Sequence, residues 1–385
     1  MYSEVHKKCE PPHNAAMISA AITKTASNGW EQGLFCAPRF HVGFCHYLSL
    51  VTSLFATFLL AACGGSSGEN PAVSFSGATM GTSYSVKVAH VPRDVEADQL
   101  KINVDAVLRQ VNDSMSTYDG SSELSRFNQS RSTDWVSVSN QLLTVVREAL
   151  RVSHLSAGAF DVTVGPVVNL WGFGPSPGRG EIPSDAQIQA AVAKVGYNRL
   201  RVRYAPPAIR KDDPDLYVDL SAIAKGYGVD QVAAYLESRE IQNYLVEVGG
   251  ELRAKGNKAA GIPWRIGIEK PTPAERTVEE IIDIPEGAVA TSGDYRNFFE
   301  VGNERFTHEI DPRTGRPVTH NLASVTVISP SAMQADAMAT ALMILGPEAG
   351  FQLAERENLA AFFLVKQGKG FDERSTTAFQ EYLPQ

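Results

Sequence analysis

The sequence has little cysteine to build with. Four cysteines occur in 385 residues, at positions 9, 36, 45 and 63, so no disulfide framework can staple the remaining four-fifths of the chain. No C-x-x-C pair is present, which excludes the usual zinc ribbons and dithiol redox motifs. Lys/Arg runs are missing and the formal net charge is −8, which argues against a general nucleic-acid binder that tracks phosphates. Neither a Walker A loop nor an H-E-x-x-H helix occurs. Gly64-Gly65-Ser66-Ser67-Gly68 has the letters of a nucleophile elbow, but that motif needs a strand, a sharp turn and a helix around it. Gly172-Phe173-Gly174 lacks the third glycine and the downstream acid of a dinucleotide fingerprint. Internal repeats are absent too, since the Ala-Lys-Gly triplets at 224–226 and 254–256 have unlike surroundings. Any nucleotide handled here is held by an uncommon cradle.

What is present begins with an ordinary globular composition, 43% hydrophobic and 20% charged. Residues 47–62, YLSLVTSLFATFLLAA, form an apolar stretch of 16 residues, shorter than the roughly 20 that a membrane-spanning helix needs. It reads as the apolar region of a secretory signal. The stretch ends in Leu60-Ala61-Ala62-Cys63, which resembles the lipobox of bacterial lipoproteins. That places a lipidated Cys63 at the start of the mature chain, with Gly64–Pro71 as a flexible tether. The alternative is an uncleaved anchor helix. Both readings put the rest of the chain outside the cytoplasm, on the periplasmic face of a bacterial inner membrane in the lipoprotein case. The expected organisation is a leader over 1–62, the lipidated cysteine and tether over 63–71, and a catalytic domain over 72–385. Residues 1–46 resemble neither a normal signal region nor a folded domain.

Along that domain, Tyr84, Val86 and Val88 alternate with polar neighbours, the period of a half-buried strand. Leu100, Val104, Val107, Leu108, Val111 and Met115 recur at helical spacing, and a second helix fits Leu143, Val146 and Leu150. Surface loops are expected at 174–183 and 205–215, both rich in Pro. A short strand over 216–220 then leads into a helix with Val229, Val232, Ala233 and Leu236 on one face. Further strands are expected at 244–248, 264–268, 325–329 and 361–365, with a helix over about 334–345 between the last two. Helices and strands mix without strict alternation, which gives an α+β fold class.

Polar residues gather in four places within these apolar strings. Val218-Asp219-Leu220-Ser221-Ala222-Ile223-Ala224-Lys225-Gly226 puts an acid at a strand end, a serine N-cap and a lysine early in a helix. Such a helix start either receives a phosphate or is merely capped, with a solvated lysine. Asp336 and Thr340 stand four apart on one face of an apolar helix. A carboxylate with a hydroxyl suits a hard cation such as magnesium, or Asp336 is simply a helix N-terminal acid. In Phe306–Gly315 a strand runs into a turn carrying His308, Asp311 and Thr314, with His308 either a proton carrier or structural. Gly158–Thr163 and Ser116–Asp119 are loops with an aromatic and acids, able to stack a ring or fix a ribose, or else ordinary turns.

In order, the strings GATMGTSYSV, MSTYDGSSELSRFN, GAFDVTVGPVVNLWGFG, VDLSAIAKGYGVD, LVEVGGEL, ATSGDYRNFF, HEIDPRTGRPV and ADAMATALMILG resemble the ApbE family of FAD:protein FMN transferases. The resemblance spans nearly the whole expected mature chain. It implies a T-fold-related α+β catalytic domain of two lobes with mixed sheets. It also implies a magnesium-dependent enzyme that splits FAD, attaches FMN by a phosphoester to a Ser or Thr hydroxyl of a membrane redox-complex subunit, and releases AMP. Met80, Tyr118, Ala159, Phe160, Asp161, Asp219, Lys225 and Ile310 would contact FAD, with Tyr118 facing the isoalloxazine. The Ala222 carbonyl, Asp336 and Thr340 would hold Mg2+. His308, Asp311 and Lys225 are the catalytic candidates. The rivals are an FAD pyrophosphatase and a non-catalytic flavin-binding lipoprotein.

Overall fold

The computed structural model describes residues 72–175, 181–258, 261–272, 277–295, 297–302 and 304–383. The leader, the tether and Cys63 lie outside the described residues. Among the described residues no helix is long and apolar enough to cross a membrane.

One eight-stranded sheet organises these residues. Its strands are β1 (Val73–Thr79), β2 (Thr82–Val88), β3 (Tyr244–Val248), β4 (Glu251–Lys255), β5 (Glu286–Gly293), β6 (Leu322–Ser329), β7 (Ala360–Gln367) and β8 (Gly370–Ser375). Their spatial order follows their sequence order, and every neighbouring pair is antiparallel. The result is a meander whose long connections carry everything else. Between β2 and β3 come α1 (Ala97–Met115), α2 (Glu123–Gln129), α3 (Asn140–Leu155), α4 (Gly165–Leu170), α5 (Asp185–Val192) and α6 (Ala224–Ser238). Between β6 and β7 lies α7 (Ala332–Arg356), broken at Gly346, which has φ +81° and precedes Pro347.

Alternation along the strands separates two apolar layers. Val325 and Val327 of β6, with Ala361, Phe363 and Val365 of β7, face α3 and α7. Ile328, Phe362 and Leu364 point to the opposite face, against the hairpin Trp264–Glu269/Val278–Ile284 and Phe379. At the other end of the sheet, Tyr84, Val86 and Val88 join Tyr244, Val246 and Val248 under α1 and α6. Each helix lies down because its apolar stripe meets this surface: Leu100, Val104 and Leu108 from α1, and Val229, Val232, Ala233 and Leu236 from α6. A smaller cluster of Val167, Trp171, Ile188, Ala191 and Ile310 forms beside it, joined by Phe299 and Phe306.

Three expectations change in the structure. Residues 208–211, expected in a surface loop, form a strand (Ala208–Lys211) paired with Leu200–Arg203 and Val136–Ser137. Ala208, Ile209 and Lys211 are buried there, so the Pro/Asp-rich flanks mark its ends rather than its content. Residues 216–220 are extended but join no sheet. Ser221 does not cap α6: its amide and hydroxyl both donate to Asp219 Oδ1, at 2.9 and 2.5 Å, and the helix begins at Ala224.

Candidate active site

The close approach of α6 and α7 builds the centre of the site. A Cβ on Gly226 would stand 2.2 Å from the Ala332 carbonyl oxygen, so only glycine lets the two helices meet there. Asp230, one turn further along α6, accepts from the Ala332 and Met333 amides at 3.0 Å each and from the Ser331 hydroxyl at 2.7 Å. A carboxylate at the positive end of α7 satisfies its first N–H groups, and Arg253 of β4 pairs with the same acid at 2.9 Å. The helices are thereby locked in register, with Lys225 facing Asp336.

Lys225 Nζ lies 3.4 Å from Glu251 Oε1 and 3.6 Å from Asp336 Oδ1. Asp336 is 3% exposed and Glu251 5%. Burial alone would lower the Lys225 pKa, but the Asp336 and Glu251 charges outweigh it and hold the ammonium protonated. Burial pushes the Glu251 carboxyl up to about 8, with Lys225 opposing and Asp336 adding to the rise. Glu251 Oε2 is buried without a hydrogen-bond partner among the described residues. The turn before Glu251 is Gly249-Gly250, both at positive φ. A Cβ on Gly249 would come within 3.2 Å of Lys225 Cδ, so that glycine gives the lysine stem its channel.

Asp336 does a second job. Its Oδ2 accepts the Gly226 amide at 3.0 Å, the N–H that would otherwise reach back to the Ala222 carbonyl in a regular helix. Ile223, at φ −149° and ψ −22°, breaks the helical path between them. The Ala222 carbonyl is thus relieved of its helical donor beside a buried carboxylate. Thr340, one turn beyond Asp336 on α7, shares a 3.3 Å hydrogen bond with Ser292 Oγ at the end of β5. Among the described residues no group of three or more His, Cys, Asp or Glu side chains could hold a metal ion. A cation here would draw on mixed carbonyl, carboxylate and hydroxyl oxygens, the donor set of a hard ion.

A second group of candidates lines the approach to Lys225 from the 216–220 segment. Tyr118, in the turn between α1 and α2, is 71% exposed; partial desolvation and the Asp219 charge raise its phenol pKa. The Asp219 amide donates to the Val162 carbonyl at 2.7 Å, tying it to the Gly158–Thr163 loop. In that loop Ala159, Phe160 and Asp161 are buried. Asp161 organises it, accepting from Thr163 N and Oγ1 at 2.7 and 2.6 Å and from Tyr197 N at 2.9 Å. Burial raises the Asp161 carboxyl pKa while these bonds oppose the shift. Met80 occupies the β1–β2 turn at φ +50° and lies over Gly228 of α6, where a Cβ would meet its Cε at 2.9 Å.

The third group lies around 308–315. His308 Nδ1 contacts the Asn297 carbonyl at 3.0 Å. A carbonyl only accepts, so Nδ1 carries the hydrogen and Nε2 is the basic nitrogen. Nε2 faces Glu309 Oε1 at 3.5 Å, and the ring packs edge-on to Phe173. Burial raises the Glu309 pKa, and the His308 charge opposes the rise. Asp311 is otherwise engaged. Arg313 takes both its oxygens, at 2.9 and 2.8 Å, and its carbonyl closes the 311–315 turn. Ile310 is buried in the satellite cluster, and the Trp171 indole fastens the turn through Gly315 O at 2.8 Å.

The structure therefore brings Lys225, Asp336 and Glu251 together, with Thr340 one turn along α7 from Asp336, and ties Asp219 to the 159–163 loop. It gives Asp311 a structural partner. Sequence reasoning passed over Glu251 and Glu309. Glu251 stood within LVEVGGEL, but only the folded sheet reveals that it turns inward toward a lysine on α6.

A model of the ApbE family matches residues 80–363. The chain is similar to the FAD:protein FMN transferase of Vibrio cholerae, with 48% identity over 335 residues, 86% of this chain and 98% of that protein. It is 43% identical over 338 residues to the protein of the same name in Haemophilus influenzae, covering 86% and 97%. Among solved structures, the flavin transferase ApbE from Vibrio cholerae matches with a TM-score of 0.75 at 47% identity, over 82% of this chain and all of that one. The apo flavinyl transferase ApbE from Pseudomonas stutzeri matches with the same TM-score at 40% identity, covering 82% and 98%. By sequence and by fold, the chain belongs to the ApbE family.

Proposed function

We propose that the protein is an FAD:protein FMN transferase that requires magnesium. The observation that carries this reading is the buried Lys225–Asp336–Glu251 centre at the start of α6, adjoined by the relieved Ala222 carbonyl. A passive flavin carrier has no use for a charged, desolvated centre of this kind, whereas a pyrophosphate group needs both a cation and N–H donors. The names of the similar proteins support FAD as substrate and a protein as acceptor. Ala222 O, Asp336 and Thr340 are the oxygens that would hold magnesium. Magnesium held there would supply charge neutralisation at phosphate oxygens.

The chain's own residues do the remaining work. Lys225 holds the pyrophosphate, kept charged chiefly by the Asp336 carboxylate. Tyr118, Asp219 and the 159–163 loop seat the flavin half of FAD. A Ser or Thr hydroxyl oxygen of the acceptor attacks the FMN phosphorus, the bond from that phosphorus to the AMP oxygen breaks, and AMP leaves. His308 Nε2, the nitrogen left basic by the Nδ1 contact with the Asn297 carbonyl, would take the hydroxyl proton. With both Asp311 oxygens occupied by Arg313, that acid serves the turn.

The test is to incubate the full chain with FAD, magnesium and a flavin-accepting domain of a membrane redox complex, then examine a denaturing gel. Transfer predicts a fluorescent acceptor band that disappears when the acceptor threonine becomes alanine. Free FMN and AMP with no such band would replace transferase by pyrophosphatase; bound FAD with neither product would leave a carrier.

A further inference from the structure

The two flanks of the flavin cleft come from distant stretches of chain, and one side chain joins them. Asn128, next to last in α2, donates from Nδ2 to the Val218 carbonyl at 2.8 Å and accepts the Val218 amide on Oδ1 at 2.9 Å. The primary amide thus pairs with a backbone residue as a neighbouring strand would. Val218 needs this partner because residues 216–220 join no sheet, and it is fully buried.

The surroundings reinforce the junction. Lys211 Nζ, 0% exposed, reaches the Asn128 and Leu216 carbonyls at 3.4 Å each and lies over the Phe127 ring. The α2 side of the junction also holds the Tyr118 turn, because the Ser122 and Ser125 hydroxyls both donate to the Ser116 carbonyl, at 2.5 and 3.0 Å.

We propose that Asn128, seconded by Ser125, is a latch that fixes the Tyr118 turn against the Asp219 segment and so preorganises the flavin cleft. It is a positioning residue: nothing in it touches the lysine centre where phosphorus chemistry takes place. The latch rests on the proposed reading of these flanks as the flavin site. Releasing it lowers the fraction of molecules whose cleft is ready, and apparent affinity falls by that fraction while the step at saturation is untouched.

The experiment compares the full chain with Asn128→Asp, which keeps the shape but replaces the Nδ2 donor, and with Ser125→Ala, which removes one of the two hydroxyls bound to the Ser116 carbonyl. FAD binding is followed by quenching of flavin fluorescence, transfer by KM and kcat, and folding by Tm. Losing one or two neutral hydrogen bonds from the latch should weaken FAD binding roughly tenfold in Asn128→Asp and about threefold in Ser125→Ala. KM for FAD should rise in parallel, with kcat within about twofold of the unaltered chain. Hydrogen exchange in the 116–122 amides should quicken in both variants and recover at saturating FAD. Unchanged FAD affinity in both folded variants, or a fall in kcat at constant KM, would overturn the latch. Should Asn128→Asp fail to fold, Ser125→Ala alone decides. If the unaltered chain binds no FAD, the functional reading itself falls, a result distinct from failure of the latch.

Discussion

A lysine held between two buried carboxylates remains charged, and its neighbours bear the electrostatic cost. Glu251 is the group that shows this, its carboxyl pushed up to about 8 by burial against an ordinary value of 4.5. Between those values the folded protein keeps a proton that the unfolded chain has released. The corresponding stability is fully present below about 4.5 and lost as pH rises through 8. In metal-free buffer, Tm of the unaltered chain should therefore fall between pH 6 and 9, and Glu251→Gln should flatten that decline. Parallel Tm profiles for the two proteins would show that Glu251 does not titrate there. Single residues were only partly legible in the sequence. Lys225 and Asp336 stood out because charge inside an apolar string is costly. Glu251 and Glu309 did not, because an acid on a strand is uninformative until its facing partner is known.

Elements with a strong period were the most readable. The alternation at Tyr84, Val86 and Val88 and the stripe from Leu100 to Met115 are the buried faces of β2 and α1. The helix expected to stop near Leu345 does lose its helical path at Gly346, though a second segment continues to Arg356. β5, with sequence EGAVATSG, was not anticipated, since its small residues carry little β-propensity. It forms because β4 and β6 flank it on either side. The α6–α7 contact was equally hidden, although it is what makes the site. Gly226→Ala would drive a methyl into the Ala332 carbonyl 2.2 Å away and toward Met333 Cα at 2.8 Å. Backbone cannot rotate aside as a side chain can, so the helices must separate. That should cost about 1–3 kcal/mol in urea denaturation, and widening the Lys225–Asp336 gap should weaken FAD binding by more than the stability loss explains. Unaltered stability and FAD affinity in Gly226→Ala would show that the contact is slack.

On the scale of the whole molecule, an eight-stranded antiparallel meander serves as the frame, and its long connections supply the chemistry. Lys225 arrives on the β2–β3 connection, Asp336 and Thr340 on the β6–β7 helix, His308 on the β5–β6 connection, and Glu251 from the sheet itself. No local window of sequence could bring these residues together, because each arrives on a different part of the chain. In a transferase of this kind FAD is split only as FMN is handed on. One measurement addresses this most directly: the ratio of AMP released to flavin covalently attached, with FAD and magnesium in excess and the acceptor limiting. One AMP per flavin attached is expected, with release stopping when the acceptor is consumed. AMP that continues to accumulate after the acceptor is exhausted, or appears at the same rate without it, would contradict the claim.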